Sequence, residues 1–145
     1  YTGERGFEIY LPNEVAIDLW RIFFEVGDSV GIKPAGLGAR DTLRLEMKYC
    51  LYGNDIDETT SPLEAGLGWT VKFDKDRFIG KDALLRQKAE GVKRRLVGFK
   101  LVERGIPRKG YKILVNGREI GVVTSGTMSP SLNGNLGFSK IFCGI

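Results

Sequence analysis

Tyr111-Lys-Ile-Leu-Val115-Asn-Gly-Arg-Glu119-Ile-Gly-Val-Val-Thr124 is the stretch that decides how the second half of the chain folds. Two apolar runs flank Asn116-Gly117. Asn-Gly between such runs is the strongest short-range signal for a tight β-hairpin, because the favoured turn needs positive φ at both central residues. Working upstream, Arg104 to Gly110 reads as a loop and Leu96 to Val102 as a strand. Working downstream, Ser129-Pro130 and Asn133-Gly134 mark further turns. Everything after Gly91 therefore reads as all-β with tight turns.

The chain before Gly91 has a different character. Residues 6–11 alternate, with Phe7, Ile9 and Leu11 on one face and Glu8 and Tyr10 on the other, which predicts a half-buried strand ended by Pro12. Asn13 is a good N-cap, and Val15, Leu19, Ile22, Phe23 and Val26 keep helical spacing as far as Gly27. A glycine-rich connector from Gly31 to Gly38 leads into a second predicted helix, Ala39 to Met47. Its apolar stripe is Ala39, Leu43 and Met47, with Arg40 and Arg44 one turn apart on an adjacent stripe. Tyr52-Gly-Asn-Asp55 is turn chemistry, and Thr59 to Pro62 continues the loop. Trp69, Val71 and Phe73 alternate, predicting a strand over 68–73, and a short helix over about 81–90 stops at Gly91. The fold class is α+β, with a natural division between Gly91 and Arg95.

Bulk properties narrow the function without naming it. The 145 residues fit one domain of roughly 150 or two small ones. Apolar residues at 42% and charged residues at 28% are ordinary for a globular protein. No apolar run approaches the roughly 18 residues of a membrane-spanning helix, and no signal peptide opens the chain. Histidine is absent, which excludes imidazole acid–base chemistry, Ser-His triads and His-based metal sites. Cys50 and Cys143 lie far apart and form no CxxC, so no metal site is expected and both should be reduced thiols. The net charge of +4 is too small to indicate nucleic-acid binding, and a soluble cytoplasmic protein of bacterial type is expected.

A few positions invite a chemical reading beside a plainer one. Two glycines bracket a turn in Tyr1-Thr-Gly-Glu-Arg-Gly6, and Glu8 follows on the non-core face of a strand. A strand-borne carboxylate can accept two parallel N–H donors, such as the amino group and ring N–H of a pterin edge. A solvent-facing or salt-bridged glutamate is the plainer reading of the spacing. Arg40 sits in the first turn of a helix behind a flexible connector, where it could grip an anion; the plainer reading is a pair with Asp41, Glu46 or Glu8. Tyr49, Tyr52 and Trp69 offer walls for a flat heterocycle, or simply core. Lys93-Arg-Arg95 reads as a solvated strand start. Gly36-Leu-Gly38 lacks a following GxxG and a preceding parallel strand, so no dinucleotide site is expected, and no P-loop is present.

Taken together, Tyr1-Thr-Gly-Glu-x-Gly-Phe-Glu8, Gly36-Leu-Gly-Ala-Arg-Asp-Thr-Leu-Arg-Leu-Glu46 and Leu51-Tyr-Gly-Asn-Asp-Ile-Asp57 resemble the aminomethyltransferase family of the glycine cleavage system, the T-proteins. So do Pro62-Leu-Glu-Ala-Gly-Leu-Gly-Trp69, Phe78-Ile-Gly-Lys81 and Gly121-x-Val-Thr-Ser-Gly-Thr127 followed by Ser129-Pro130. The resemblance covers nearly the whole chain in order. It implies a middle-to-late portion of that enzyme: a partial ferredoxin-like α/β, folate-binding domain over 1–91 and part of a C-terminal β-barrel domain over 92–145. The start at Tyr1, inside a motif and without an initiator Met, fits that expectation.

The resemblance further implies tetrahydrofolate as cofactor and the lipoylated H-protein as partner, with neither nucleic acid nor membrane involved. The aminomethyl group on the lipoyl arm would yield ammonia and 5,10-methylenetetrahydrofolate. Cofactor-binding roles carry over to Tyr1, Glu8 and Arg40, and to Tyr49 and Trp69 as channel walls. The family's essential aspartate falls upstream of Tyr1, so no catalytic residue is assigned and the chain alone is expected to be inactive. Met47-Lys48 stands where the family usually has Ala-Gly, and the tail Gly137 to Ile145 departs from the expected late strand. An open barrel edge would offer pairing to a second copy, giving a dimer. Related folate-dependent demethylases, the folate domains of dimethylglycine and sarcosine oxidases, and a non-catalytic folate-binding module of the same superfamily are the alternative readings.

Overall fold

The structure is a computed structural model that describes residues 1–143. Three helices, α1 (Asn13–Gly27), α2 (Leu37–Glu46) and α3 (Lys81–Glu90), precede four strands, β1 (Arg94–Lys100), β2 (Lys112–Val115), β3 (Arg118–Ser129) and β4 (Gly134–Phe142). The strands form one antiparallel sheet in the order β1-β4-β3-β2. The class is α+β, and the sheet is built where the hairpin signal placed it. Asn116 and Gly117 both carry positive φ, at 50° and 78°, as a primed hairpin turn requires. Asn133 does the same for the β3–β4 turn, at 46°.

The tail is a correction to the sequence reading. Gly134–Phe142 is a regular strand paired on both sides, from Arg94↔Phe142 to Lys100↔Leu136 with β1 and from Gly121↔Ile141 to Ser129↔Gly134 with β3. Its own composition was uninformative because a strand with two neighbours takes its stability from the ladder more than from propensity. Gly144 and Ile145 lie outside the described residues.

The first half corrects the reading in the other direction. Residues 6–11 and 71–73 form no ladder, and the only bridge described before β1 is Tyr52↔Ile56. Gly68–Thr70 is instead a single 3-10 turn. An alternating pattern specifies which faces differ, but a strand also needs a partner for its backbone groups. Phe7, on the supposed inner face, is 96% exposed. The ferredoxin-like strands expected within 1–91 are therefore not formed among the described residues.

Helix placement follows the sequence more closely. Helix α1 begins one residue after Pro12, which occupies the cap position in place of Asn13. It runs on into a 3-10 turn, so the left-handed stop is Gly31 (φ 72°) rather than Gly27. Its apolar residues Val15, Ile22 and Val26 remain exposed. Helix α3 ends at Gly91, whose φ is 85°.

Helix α2 packs on β3 and β4. Its inward residues are Arg44 and Leu45, not the predicted stripe of Ala39, Leu43 and Met47; Ala39 and Met47 are exposed. Leu45, Leu96 and Phe138 make the apolar core, with Cys50 and Ile56 packed against it. Both cysteine thiols are free. Among the described residues no helix is long and apolar enough to cross a membrane, and no group of three or more Cys, Asp or Glu is placed to hold a metal ion.

Candidate functional site

Four of the five site residues named from the sequence, Tyr1, Glu8, Arg40 and Tyr49, are brought together beside α2. The turn at Gly3 (φ 82°) carries Tyr1 over the end of the helix. A Cβ at Gly3 would collide with the Met47 side chain, so only glycine allows this approach. The Tyr1 hydroxyl donates to the Cys50 carbonyl at 2.8 Å. Its ring stacks on Tyr49 with centroids 6.1 Å apart and planes 24° from parallel. The Arg40 guanidinium lies 4.3 Å from the centroid of the same ring, a cation–π contact. Arg40 Nη1 is also 4.0 Å from Glu8 Oε1, which settles which acidic neighbour it faces.

Glu8 is held lightly. The Tyr10 hydroxyl donates to Glu8 Oε2 at 2.9 Å, so the shared face of residues 8 and 10 exists even though the ladder does not. Glu8 and Arg40 keep 62% and 49% of their side-chain surface in solvent. Their pair is loose and screened, and a ligand with better-placed donors can compete for the carboxylate. Burial raises the Tyr1 hydroxyl above the usual phenol pKa against the opposing pull of Arg44 and Arg40. Tyr10 is raised by its hydrogen bond to Glu8. Both phenols therefore remain neutral donors at pH 7.

Tyr1 is the shared wall of three cavities. One of about 380 Å³ is lined by Tyr1, Lys48, Tyr49, Cys50, Ile56 and Leu67. A second, about 320 Å³, lies between Tyr1, Arg40, Arg44 and Leu51. A third, about 180 Å³, opens between Tyr1, Phe7, Glu8 and Arg40. A flat heterocycle lying against the tyrosines could thus reach Glu8 with a donor edge and Arg40 with an acceptor. Trp69 is not brought to this cluster: it stands on the Gly68–Thr70 turn, 75% exposed, and lines none of these cavities. Tyr52 is also remote, its hydroxyl 3.4 Å from Glu58 Oε2.

Beneath the exposed cluster lies a buried ionic network that apolar patterning did not reveal. Arg44 is 1% exposed and Asp55 0%. Arg44 Nη1 donates to Asp55 Oδ2 at 2.6 Å and to the Tyr49 carbonyl at 3.2 Å. Its Nε donates to Asp41 Oδ1 at 2.7 Å and its Nη2 to Ser125 Oγ at 3.1 Å. Asp55 also accepts from the Leu51 amide at 2.9 Å and from the Thr124 hydroxyl at 2.5 Å. Burial works against the Arg44 charge, but Asp41 and Asp55 outweigh it and its pKa is raised.

The sheet contributes to this network through a bulge. The β3–β4 register runs from Val123↔Ser139 to Ser125↔Phe138, leaving Thr124 unpaired. A bulge turns consecutive side chains toward one side, and Val123, Thr124 and Ser125 are all buried. The acidic spacing of Asp41 three residues before Arg44 was the available sequence signal. The basic run is solvated at Lys93 and Arg95, whereas Arg94 is partly buried, its Nε donating to Glu64 Oε1 at 3.0 Å and its Nη2 to the Thr59 carbonyl. Asp57 completes the seam. Hydrogen bonds from Thr59, Thr60 and Lys140 hold its carboxyl well below the usual carboxylate range.

Comparison with known proteins adds an independent line. Family models match the chain in two places, the GCVT N-terminal domain over residues 1–75 and the glycine cleavage T-protein C-terminal barrel domain over residues 94–141. The chain is 64% identical over 141 residues to an aminomethyltransferase of Halothermothrix orenii, covering 97% of this chain and 40% of that protein. It is 58% identical over 142 residues to one of Flavobacterium psychrophilum, covering 97% and 39%. A crystal structure of the glycine cleavage system aminomethyltransferase T from Bartonella henselae matches with a TM-score of 0.82 at 39% identity, over 91% of this chain and 37% of that one. The chain thus spans about 40% of the length of the curated relatives it matches.

Proposed function

This chain belongs to the glycine cleavage T-protein family, and from that premise we propose that it forms part of a tetrahydrofolate-dependent aminomethyltransferase that takes its aminomethyl group from the lipoyl arm of an H-protein. The products on this reading are ammonia and 5,10-methylenetetrahydrofolate. Within it, residues 1–91 supply the folate-binding part and residues 92–145 part of the C-terminal barrel. The site is expected to operate as a soluble cytoplasmic enzyme.

The observation that carries the reading is the convergence of Tyr49 and Arg40 on the Tyr1 ring, with Glu8 beside Arg40, from separate segments of the chain. The donor set suits a folate. The cavity of about 380 Å³ beside Tyr1 and Tyr49 lies within the range of small-molecule sites, about 300–1,000 Å³. The tyrosine pair presents a flat apolar wall, and Glu8 presents a carboxylate whose Oε1 has only a loose partner. A carboxylate takes two parallel N–H donors in the plane of its oxygens. Glu8 would therefore fix the orientation of a pterin edge once the Tyr10 hydroxyl, which donates to Glu8 Oε2, gives way to the incoming donor. Arg40 would turn from Glu8 toward an acceptor on the ring, keeping its stack on Tyr1.

Bound folate supplies the nucleophilic nitrogens that accept the one-carbon unit. The share of these residues is orientation and electrostatics: they bind, align and shield, and none is assigned a proton transfer. Trp69, proposed from the resemblance as a channel wall, would have to act from the exposed turn where it stands.

The test is the affinity of the intact protein for tetrahydrofolate, measured by calorimetry with Glu8→Ala beside the wild type. Loss of two charge-assisted hydrogen bonds, each about 1.5–3 kcal/mol, should weaken binding by about 100-fold or more. Unchanged affinity removes the pterin-holding role.

A further inference from the structure

Lys109, in the loop before β2, reaches back to the turn that carries Asp55. Its Nζ donates to the Gly53 carbonyl at 3.1 Å and to Asn54 Oδ1 at 2.7 Å. The backbone on both sides of that contact is pinned. Around Lys109, the Gly110 amide donates to the Val123 carbonyl of β3 at 2.8 Å and the Tyr111 amide to the Arg108 carbonyl at 3.1 Å. Around Asn54, the Gly53 amide donates to the Ile56 carbonyl at 2.8 Å and the Asn54 amide to the Leu51 carbonyl at 3.1 Å. Asn54 is half-buried and lines the cavity of about 320 Å³ together with Tyr1, Leu37, Arg40 and Leu51.

The chemistry of the partner decides which way the Asn54 amide faces. An ammonium has donors only, so the amide oxygen must be the atom turned to Lys109 and the amide nitrogen is turned the other way. That nitrogen, Nδ2, has no acceptor among the described residues, and Asp41, the carboxylate lining the same cavity, accepts from Arg44. We propose that Lys109 is a positioning residue that fixes the flip of Asn54, so that the amide presents an N–H to the cavity and engages a carbonyl or carboxylate oxygen of the ligand bound there. The inference rests on the folate reading and deepens it: Glu8 takes the donor edge of the ligand, while Arg40 and Asn54 take its acceptors. The competing role for Lys109 is a tie between loop and turn, which would not depend on the atom that Asn54 offers to the cavity.

The experiment measures tetrahydrofolate affinity of the intact protein by calorimetry, for the wild type, Asn54→Ala, Lys109→Arg, Lys109→Glu and Lys109→Glu combined with Asn54→Ala. Thermal midpoints are recorded for every variant, and Glu8→Ala is measured beside them. Asn54→Ala should weaken binding by about 2- to 12-fold, the span of one neutral hydrogen bond. Lys109→Arg keeps a donor-only partner and should bind as the wild type does. Lys109→Glu is an acceptor, so it should draw Nδ2 to itself, turn Oδ1 to the cavity and weaken binding at least as much as Asn54→Ala. In the Asn54→Ala background the same Lys109→Glu change should cost nothing further, because no amide remains to be turned. Wild-type affinity in Asn54→Ala or in Lys109→Glu overturns the inference. So does an equal loss from Lys109→Glu in both backgrounds, which marks a charge acting on the ligand directly, or a loss that follows a lowered midpoint, which marks the tie alone. In each of these cases a loss in Glu8→Ala leaves the folate reading standing. No binding by the wild type overturns both.

Discussion

Replacing Asp55 by alanine is the most searching test of the buried network. The carboxylate is wholly buried and serves three donors: Arg44 Nη1 at 2.6 Å, the Leu51 amide at 2.9 Å and the Thr124 hydroxyl at 2.5 Å. Truncation leaves the Leu51 and Thr124 donors without an acceptor, at about 1–3 kcal/mol for each such group. Arg44 retains Asp41 Oδ1 at 2.5 Å and the Tyr49 carbonyl, so its charge is not orphaned. The whole change should therefore fall at about 3–5 kcal/mol, the range for breaking a buried pair from one side. Asp55→Asn preserves volume but turns an N–H toward a donor, and should cost about 1–3 kcal/mol. Asp41→Ala should cost under about 1 kcal/mol, because Asp41 is nearly half exposed.

Urea denaturation of the intact protein, with the slope checked for constancy, gives all three values on one scale. The order Asp55→Ala, then Asp55→Asn, then Asp41→Ala is the expected outcome. If Asp55→Ala lies within about 1 kcal/mol of the wild type, the network is no more than a surface pair and the argument for coupling between α2 and the sheet fails.

Three further outcomes follow from the same geometry. Gly126 faces the Pro107 carbonyl and ring so closely that any Cβ meets backbone; Gly126→Ala should lower stability by about 1–3 kcal/mol in the same urea assay. Asp57 has a depressed pKa because Thr59, Thr60 and Lys140 donate to it. The unfolded state then binds the extra proton first, so the stability it confers is complete above the unfolded value of about 3.9 and fades as pH falls below it; Asp57→Asn should flatten that acid limb, read from midpoints between pH 2 and 7. Arg94→Met removes the donors to Glu64 and the Thr59 carbonyl and should cost about 1–3 kcal/mol, measured by calorimetric unfolding.

What the sequence made legible was what is decided locally. The Asn116-Gly117 turn fixes its own dihedrals and the register beside it, so the hairpin followed from a dipeptide and its flanks. Helix α3 likewise carries its own stop at Gly91. Residues 6–11 and 68–73 show the limit, because alternation describes a face and pairing requires a second chain segment at the right distance. Arg44 shows another. Searching for inward residues by apolarity points to Ala39, Leu43 and Met47, whereas the buried position belongs to an arginine neutralised by Asp41 and Asp55. Its burial depends on Asp55, eleven residues on, and on two side chains turned inward by a bulge in β3. None of these is visible in a helical period.

The exposed site and the buried network are coupled in one direction. Tyr1 is fixed by its hydroxyl to the Cys50 carbonyl and by its ring to Tyr49, so its position is set through residues 49–50 as well as through Arg40 of α2. Residue 49 is in turn held through its carbonyl by Arg44, and Arg44 is anchored to Ser125 on β3. The ligand-facing groups Glu8 and Arg40 are loosely paired and free to re-aim, while the aromatic wall they flank is referred back to the sheet through a dry ionic contact. An interaction in that buried setting is little screened by salt, whereas the Glu8–Arg40 pair is screened strongly. Raising ionic strength should therefore loosen the two charged groups without moving the wall. The Tyr1–Tyr49 stack, followed through tyrosine ring NMR shifts, should stay constant across a salt range over which the Glu8–Arg40 contact disappears.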